Sequence, residues 1–154
     1  VTVRRSAGLL LFRRTDTDLE VLLGHMGGPY FARKDAGAWT VPKGEYEPDE
    51  PAREAARREF REELGLDPPD GEAIALGEVR QTNGKIVTVW AIEAELDPAA
   101  VVPGTFTMEW PPRSGRQREF PELDRVAWFG LEGARAVIVT AQAAFLDRLA
   151  EHPV

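Results

Sequence analysis

The chain has no cysteine. That single absence excludes disulfides, thiolate metal sites and cysteine nucleophiles. Histidine is nearly absent too: His25 and His152 are too few for a histidine-rich zinc site. No apolar run approaches the roughly 20 residues of a membrane-spanning helix. The opening VTVRRSAGLLLF carries a short apolar stretch but no signal-type cleavage pattern, so a cytoplasmic protein is expected. Positive charge is the scarcer sign, with 19 Lys and Arg against 26 Asp and Glu and a net charge of -7. That balance argues against non-specific nucleic-acid binding and leaves a small anionic substrate open. Internal repeats are absent as well.

What is present fits one compact domain spanning residues 1–154. Ser6 to Arg13 and Leu19 to Gly24 read as paired strands, and Trp39-Thr40-Val41 as a short strand broken by Pro42-Lys43-Gly44. A helix is expected from about Pro51 to Leu64, with Asp49 or Glu50 near its N-cap and Gly65 as its stop. Ile74 to Arg80 and Lys85 to Glu95 form a hairpin through Thr82-Asn83-Gly84. Leu96 to Pro121 reads as irregular, Val126 to Phe129 as a strand, Leu131 to Ala136 as a helix or turn, and Ile138 to Leu149 as an amphipathic helix. Helices set between groups of strands predict an α+β class, with a mixed central sheet flanked by helices.

The expected helix poses a question. At about 100° per residue, Ala52, Ala56, Phe60 and Leu64 make one apolar stripe. Glu59, Glu62 and Glu63 then crowd into an arc of about 100° beside it. Glu59 and Glu63 are i,i+4 neighbours, and like charges there cost a few tenths of a kcal/mol. One reading is a solvated acidic face balanced by Arg57, Arg58 and Arg61. The other is a platform for a hard divalent cation, which takes oxygen ligands and shares them with substrate phosphates.

The spacing discriminates. Gly44, five residues, Glu50, seven residues, then Arg58-Glu59-Phe60-Arg61-Glu62-Glu63-Leu64-Gly65-Leu66 is similar at all nine specified positions to the Nudix box. Phe60 stands where that family more often has Leu, Ile or Val. The order SAGLLLFRR, EVLL, WTVPKG, box, strand pair and late AWF resembles a whole Nudix domain. The resemblance implies an α/β/α sandwich that hydrolyses nucleoside diphosphates linked to another group, using Mg²⁺ or Mn²⁺. It implies metal ligation by Glu59, Glu62 and Glu63, with the Gly44 carbonyl as an added ligand. Arg58 would orient these acids through an ion pair with Glu50, although a surface pair with Glu54 is an alternative.

Proton transfer falls to Glu62 or Glu63, or to a glutamate outside the box, as in many relatives. Glu122, six residues before Trp128, resembles in its spacing the outlying glutamate of diadenosine tetraphosphate hydrolases; Glu109 and Glu119 are the other candidates. Lys43 either neutralises a phosphate or caps a turn. Trp39 either stacks on a base or packs in the core. Arg113 and Arg116, with Arg118, either grip further phosphates or stay solvated. The expected substrate is a nucleoside di- or polyphosphate, leaning to a dinucleoside polyphosphate. A nucleoside triphosphate, oxidised ones included, and a non-catalytic nucleotide-sensing module are the alternatives. A monomer or homodimer is expected.

Overall fold

The computed structural model describes residues 3–152. Its strands are β1 (Arg5–Arg14), β2 (Leu19–Met26), β3 (Trp39–Thr40), β4 (Lys43–Glu45), β5 (Ile74–Arg80), β6 (Ile86–Glu93), β7 (Thr105–Glu109), β8 (Gln117–Pro121) and β9 (Leu123–Gly130). The helices are α1 (Ala52–Leu64), α2 (Leu131–Val137) and α3 (Ala143–Glu151).

β1 is the spine. Its residues Ser6 to Phe12 are all buried, the continuous run expected of a strand covered on both faces. It pairs in parallel with β6 along its length and antiparallel with β2 and β4 at its two ends. The resulting seven-stranded mixed sheet runs β3-β2-β1-β6-β5, with β4 on β1 and β9 on β2. Alternation along β1 divides the core. Leu10 and Phe12 face Phe145, Leu146 and Leu149 of α3, while Ala7, Leu9 and Leu11 face Ala55, Ala56, Phe60 and Leu64 of α1. This is the helix–sheet–helix sandwich expected from the order of elements.

α1 ends as its sequence dictates. Gly65 adopts φ 68°, and its N–H caps the Arg61 carbonyl. A Cβ there would lie 2.4 Å from the Val102 carbonyl oxygen. Gly65→Ala is therefore expected to cost about 1–2 kcal/mol, from the left-handed backbone alone, seen as a lower urea midpoint at constant m-value.

Four local expectations need correction. Pro42-Lys43-Gly44 does not end the sheet: Lys43 to Glu45 form β4, drawn onto β1 by Ala7 and Gly8. The residue preceding α1 is Pro51, which offers no side-chain cap; Glu50 is instead committed to Arg58. Ile138 to Leu149 is not one helix, because Ile138 bridges to Trp39 and a 3₁₀ turn at Thr140–Gln142 precedes α3. Finally, Leu96 to Pro121 is not wholly irregular. β7 and β8 form a separate two-stranded sheet.

Candidate active site

β4 lies between β1 and α1, and that placement builds the site. A Cβ on Gly44 would sit 2.0 Å from the Glu59 carboxyl carbon, so only glycine lets the strand pass this close to the acid. Beyond it opens a cavity of about 450 Å³, lined by Ser6, Thr40, Lys43, Gly44, Glu59, Glu62, Glu63, Lys85 and Glu122 among others. A larger cavity of about 710 Å³ lies on the outer side of the box loop, where Glu45 and Glu50 meet Arg4 and Arg5. There Glu45 pairs with Arg4 and Glu50 with Arg58, and the cavity gathers none of Glu59, Glu62, Glu63 or Glu122.

Arg58 organises the helix side of the acid cavity. Its Nε and Nη2 donate to the two Glu50 carboxylate oxygens at 2.8 and 2.9 Å, a bidentate grip that ties the box loop to α1. Nη1 donates to Glu59 at 2.8 Å and to both Glu62 oxygens at 3.2 and 3.1 Å. The expected Arg58–Glu50 pair forms, and Glu50 is held below its ordinary pKa by that hydrogen bond.

The other acids are pushed the opposite way. Burial drives the Glu63 carboxyl up to about 8, helped by the nearby charges of Glu122 and Glu59 and opposed by Lys43. Glu59 is raised by burial against the pull of Arg58. Burial raises Glu122 too, against the pull of Lys43. Lys43 is lowered, first by burial and then by repulsion from Lys85. Three carboxyls with raised pKa values facing one cavity are short of positive charge.

The residues present fit a hard divalent cation. Glu59, Glu62, Glu63 and Glu122 offer only oxygen, the donor type Mg²⁺ and Mn²⁺ take. The Ser6 hydroxyl, fully buried on the wall of the same cavity, has no hydrogen-bond partner. The Gly44 cradle would be filled by any side chain. Among the described residues no three acidic or histidine side chains are already gathered as a ready-made metal site.

The other candidates disperse. Glu122, at the junction of β8 and β9, lines the acid cavity; Glu109 and Glu119 do not. The Glu109 carboxylate accepts from the Arg113 and Gly115 amides and closes the turn between β7 and β8. Arg113 and Arg116 are exposed in that turn, and neither lines the acid cavity. Trp39 as a base-stacking residue is corrected. It is 4% exposed, packed edge-on against Phe129 at 4.8 Å and His25 at 5.2 Å, with the Arg125 guanidinium 5.3 Å over its ring. His25 is structural: its buried ring spans Asp124 (Nδ1, 2.8 Å) and the Lys34 carbonyl (Nε2, 2.6 Å), pinning the β2–β3 loop to β9.

Lys85, Ser6 and Gln142 were not singled out by the sequence. Lys85 joins Lys43 at the boundary between the acid cavity and a second one of about 480 Å³. Its only sequence signal is the Thr82-Asn83-Gly84 turn before it, which fixes the hairpin but not what the hairpin tip faces.

The NUDIX domain family model matches residues 2–149. The CTP pyrophosphohydrolase of Escherichia coli (strain K12) is 43% identical over 56 residues, which are 36% of this chain and 41% of that protein. The match thus spans less than half the length of that curated relative. A C. elegans Ap4A hydrolase superposes with a TM-score of 0.66 at 22% identity, over 94% of this chain and 95% of that one. The NUDIX domain of Shewanella oneidensis NrtR, complexed with ADP ribose, gives 0.66 at 16% identity over 98% and 88%. At such identities the superpositions show the fold alone. Box, sheet topology and family match coincide on the same residues, and the chain belongs to the NUDIX domain family.

Proposed function

We infer that this chain is a metal-dependent pyrophosphohydrolase of nucleoside triphosphates. The observation that carries it is the acid cavity, where Glu59, Glu63 and Glu122 hold raised pKa values beside Lys43 and Lys85. Such a cavity suits a cation and a polyphosphate together better than either alone. Mg²⁺ or Mn²⁺ held by Glu59, Glu62, Glu63 and the Gly44 carbonyl would neutralise phosphate charge and lower the pKa of a coordinated water.

The chain's own groups divide the remaining work. Arg58 keeps Glu59 and Glu62 oriented from the loop side. Lys43 and Lys85 receive the phosphate oxygens at the cavity boundary. Glu122 accepts the proton of the attacking water, since a carboxylate with a raised pKa is the stronger base near neutrality. The water oxygen joins phosphorus, and the bridging P–O bond breaks with its electron pair leaving on pyrophosphate.

A triphosphate is favoured over a dinucleoside polyphosphate on one observation. Of the two signals for the longer substrate, the Glu122 to Trp128 spacing and the arginine-bearing loop, Glu122 lines the acid cavity but Arg113 and Arg116 do not. The curated relative named as a CTP pyrophosphohydrolase agrees with that choice. The test is a panel of nucleoside triphosphates, diadenosine tetraphosphate and ADP-ribose with Mg²⁺, with products resolved by ion exchange. Monophosphate and pyrophosphate from a triphosphate, at the highest kcat/KM of the panel, is the expected result. Preference for the dinucleotide by tenfold or more would reverse the order of the two readings. No Mg²⁺-dependent product from any compound would leave the non-catalytic sensing module.

A further inference from the structure

Glu122 reaches the acid cavity from a junction that side-chain packing alone does not fix. Its neighbour Leu123 is 2% exposed, in the core on the α1 side, while the Glu122 side chain lines the cavity. What holds Glu122 is its backbone. Its carbonyl accepts from the Gly27 amide at 3.0 Å, and its amide donates to the Gly104 carbonyl at 2.7 Å. The second bond closes the base of the β7–β8 hairpin, one step beyond the Thr105–Pro121 pair. Gly104 in turn ends a short strap, Val101 to Gly104, that lies against the last turn of α1. The Val102 amide donates to the Leu64 carbonyl at 2.9 Å. A Cβ on Gly104 would stand 2.6 Å from the Glu62 carbonyl oxygen, so the strap meets α1 at a residue that carries a box acid. One glycine thus spans the gap between the Glu62 and Glu122 backbones.

We propose that Gly104 is a positioning residue, which sets how far the Glu122 carboxylate stands from Glu59, Glu62 and Glu63 across the cavity. The role follows from which side must yield to a larger residue. α1 is anchored by Ala55, Ala56, Phe60 and Leu64, all 0% exposed. The strap is not anchored so, since its Val102 is 67% exposed. The obstacle at Gly104 is a helix carbonyl rather than the end of a flexible side chain, so no rotamer change relieves it. A methyl there moves the strap, and the 2.7 Å bond carries Glu122 with it. The box acids keep their places, because Arg58 holds Glu59 and Glu62 and all three stay with α1. The proposal rests on the hydrolase reading only for the work that Glu122 does at the cavity.

The test compares wild type, Gly104→Ala, Glu122→Gln and the double variant. Crystals of Gly104→Ala should show Gly104 and Glu122 displaced together from an unmoved α1, by about 0.5 Å, as a close-packed contact transmits the strain. With Mg²⁺ and the triphosphate that wild type prefers, Gly104→Ala should lower kcat about tenfold and leave KM within about twofold, the mark of an interaction made in the transition state. In the Glu122→Gln background the same substitution should cost less than about twofold, because its route to the chemistry is already gone. Calorimetry should find the Mg²⁺ affinity of Gly104→Ala within about twofold of wild type, since the box ligands do not move. Should Gly104→Ala not fold, Val102→Pro makes the same comparison, removing the strap's hydrogen bond to Leu64 without adding bulk at Gly104. An equal loss in both backgrounds, a weakened Mg²⁺ site, or an unmoved Glu122 in the Gly104→Ala crystals overturns the proposal. Displacement of Glu122 in a protein that turns over no triphosphate sinks the hydrolase reading and leaves the positioning; turnover that Gly104→Ala does not change does the reverse.

Discussion

Glu63→Gln is expected to make the metal-free protein more stable at pH 8 and nearly inactive. The two effects share one cause. Glu63 is 9% exposed, and burial raises its carboxyl from 4.5 to about 8 in the folded protein. A raised folded pKa means the native state holds the proton more tightly than the unfolded chain. Its stabilising contribution is therefore complete below about pH 4.5 and is lost as pH rises through about 8. Glu59 and Glu122 are shifted in the same direction. Glu45, held down to about 2 by Arg4, acts outside this window, since its contribution is complete above about 4.5 and is lost only in acid. Glutamine mimics the protonated acid. The variant should equal wild type near pH 4.5 and exceed it by a few kcal/mol at pH 8, a rise in Tm on the order of 5 °C or more. Turnover should fall about 10²- to 10³-fold, since an anionic ligand is lost where substrate charge must be neutralised. Mg²⁺ is expected to raise the wild-type Tm by binding the folded state and to raise the variant's much less. Thermal scans from pH 4.5 to 8.5, with and without Mg²⁺, read all three effects. A variant less stable than wild type at pH 8 would mean that Glu63 carries no burial penalty.

How far the sequence reaches follows from where its signals originate. α1 was legible because three local devices agree: the Ala52-Ala56-Phe60-Leu64 stripe, the Gly65 stop and the fixed box spacing. The acids could be named for the same reason, since all three lie within one turn and a half of helix. β7 and β8 were missed because strand periodicity is visible only when one face is buried. TFTME and QREFP pair with each other, and all of their residues are exposed or half-buried. β4 was missed because a proline and a glycine flank Lys43, and its pairing is imposed by β1 across some 37 residues. Trp39 illustrates a different limit: a tryptophan beside a predicted loop carries no mark of whether its ring faces a ligand or the core. Gln142 and Lys85 acquire their positions only when the turn before α3 and the β5–β6 hairpin come together beside Thr40 and Val41.

Gly44→Ala should separate the fold from the chemistry. The added methyl would fall 2.0 Å from the Glu59 carboxyl carbon, an overlap that must be relieved by movement. The clashing atoms are the far end of a flexible side chain, so Glu59 can swing away at modest cost. The backbone need not shift, and Gly44 does not have the positive φ that would make alanine strained there. Stability should therefore drop by no more than about 1–2 kcal/mol, a cost set by lost contacts rather than by a cavity. Activity has no such relief. The displaced carboxylate leaves the one Arg58 nitrogen that also holds Glu62, at 2.8 Å for Glu59 against 3.1 Å for Glu62. Glu59 then loses the contact that orients it, while Glu62 keeps its own to the same nitrogen. A fall of about 10²-fold in kcat/KM is expected, because catalysis by positioned charge is sensitive to shifts of about 1 Å. Urea denaturation and Mg²⁺-dependent turnover of the same preparation measure the two quantities side by side. If turnover and stability fall together, or turnover survives, then the closeness of β4 to α1 is a packing requirement and Glu59 is not held in place for a metal.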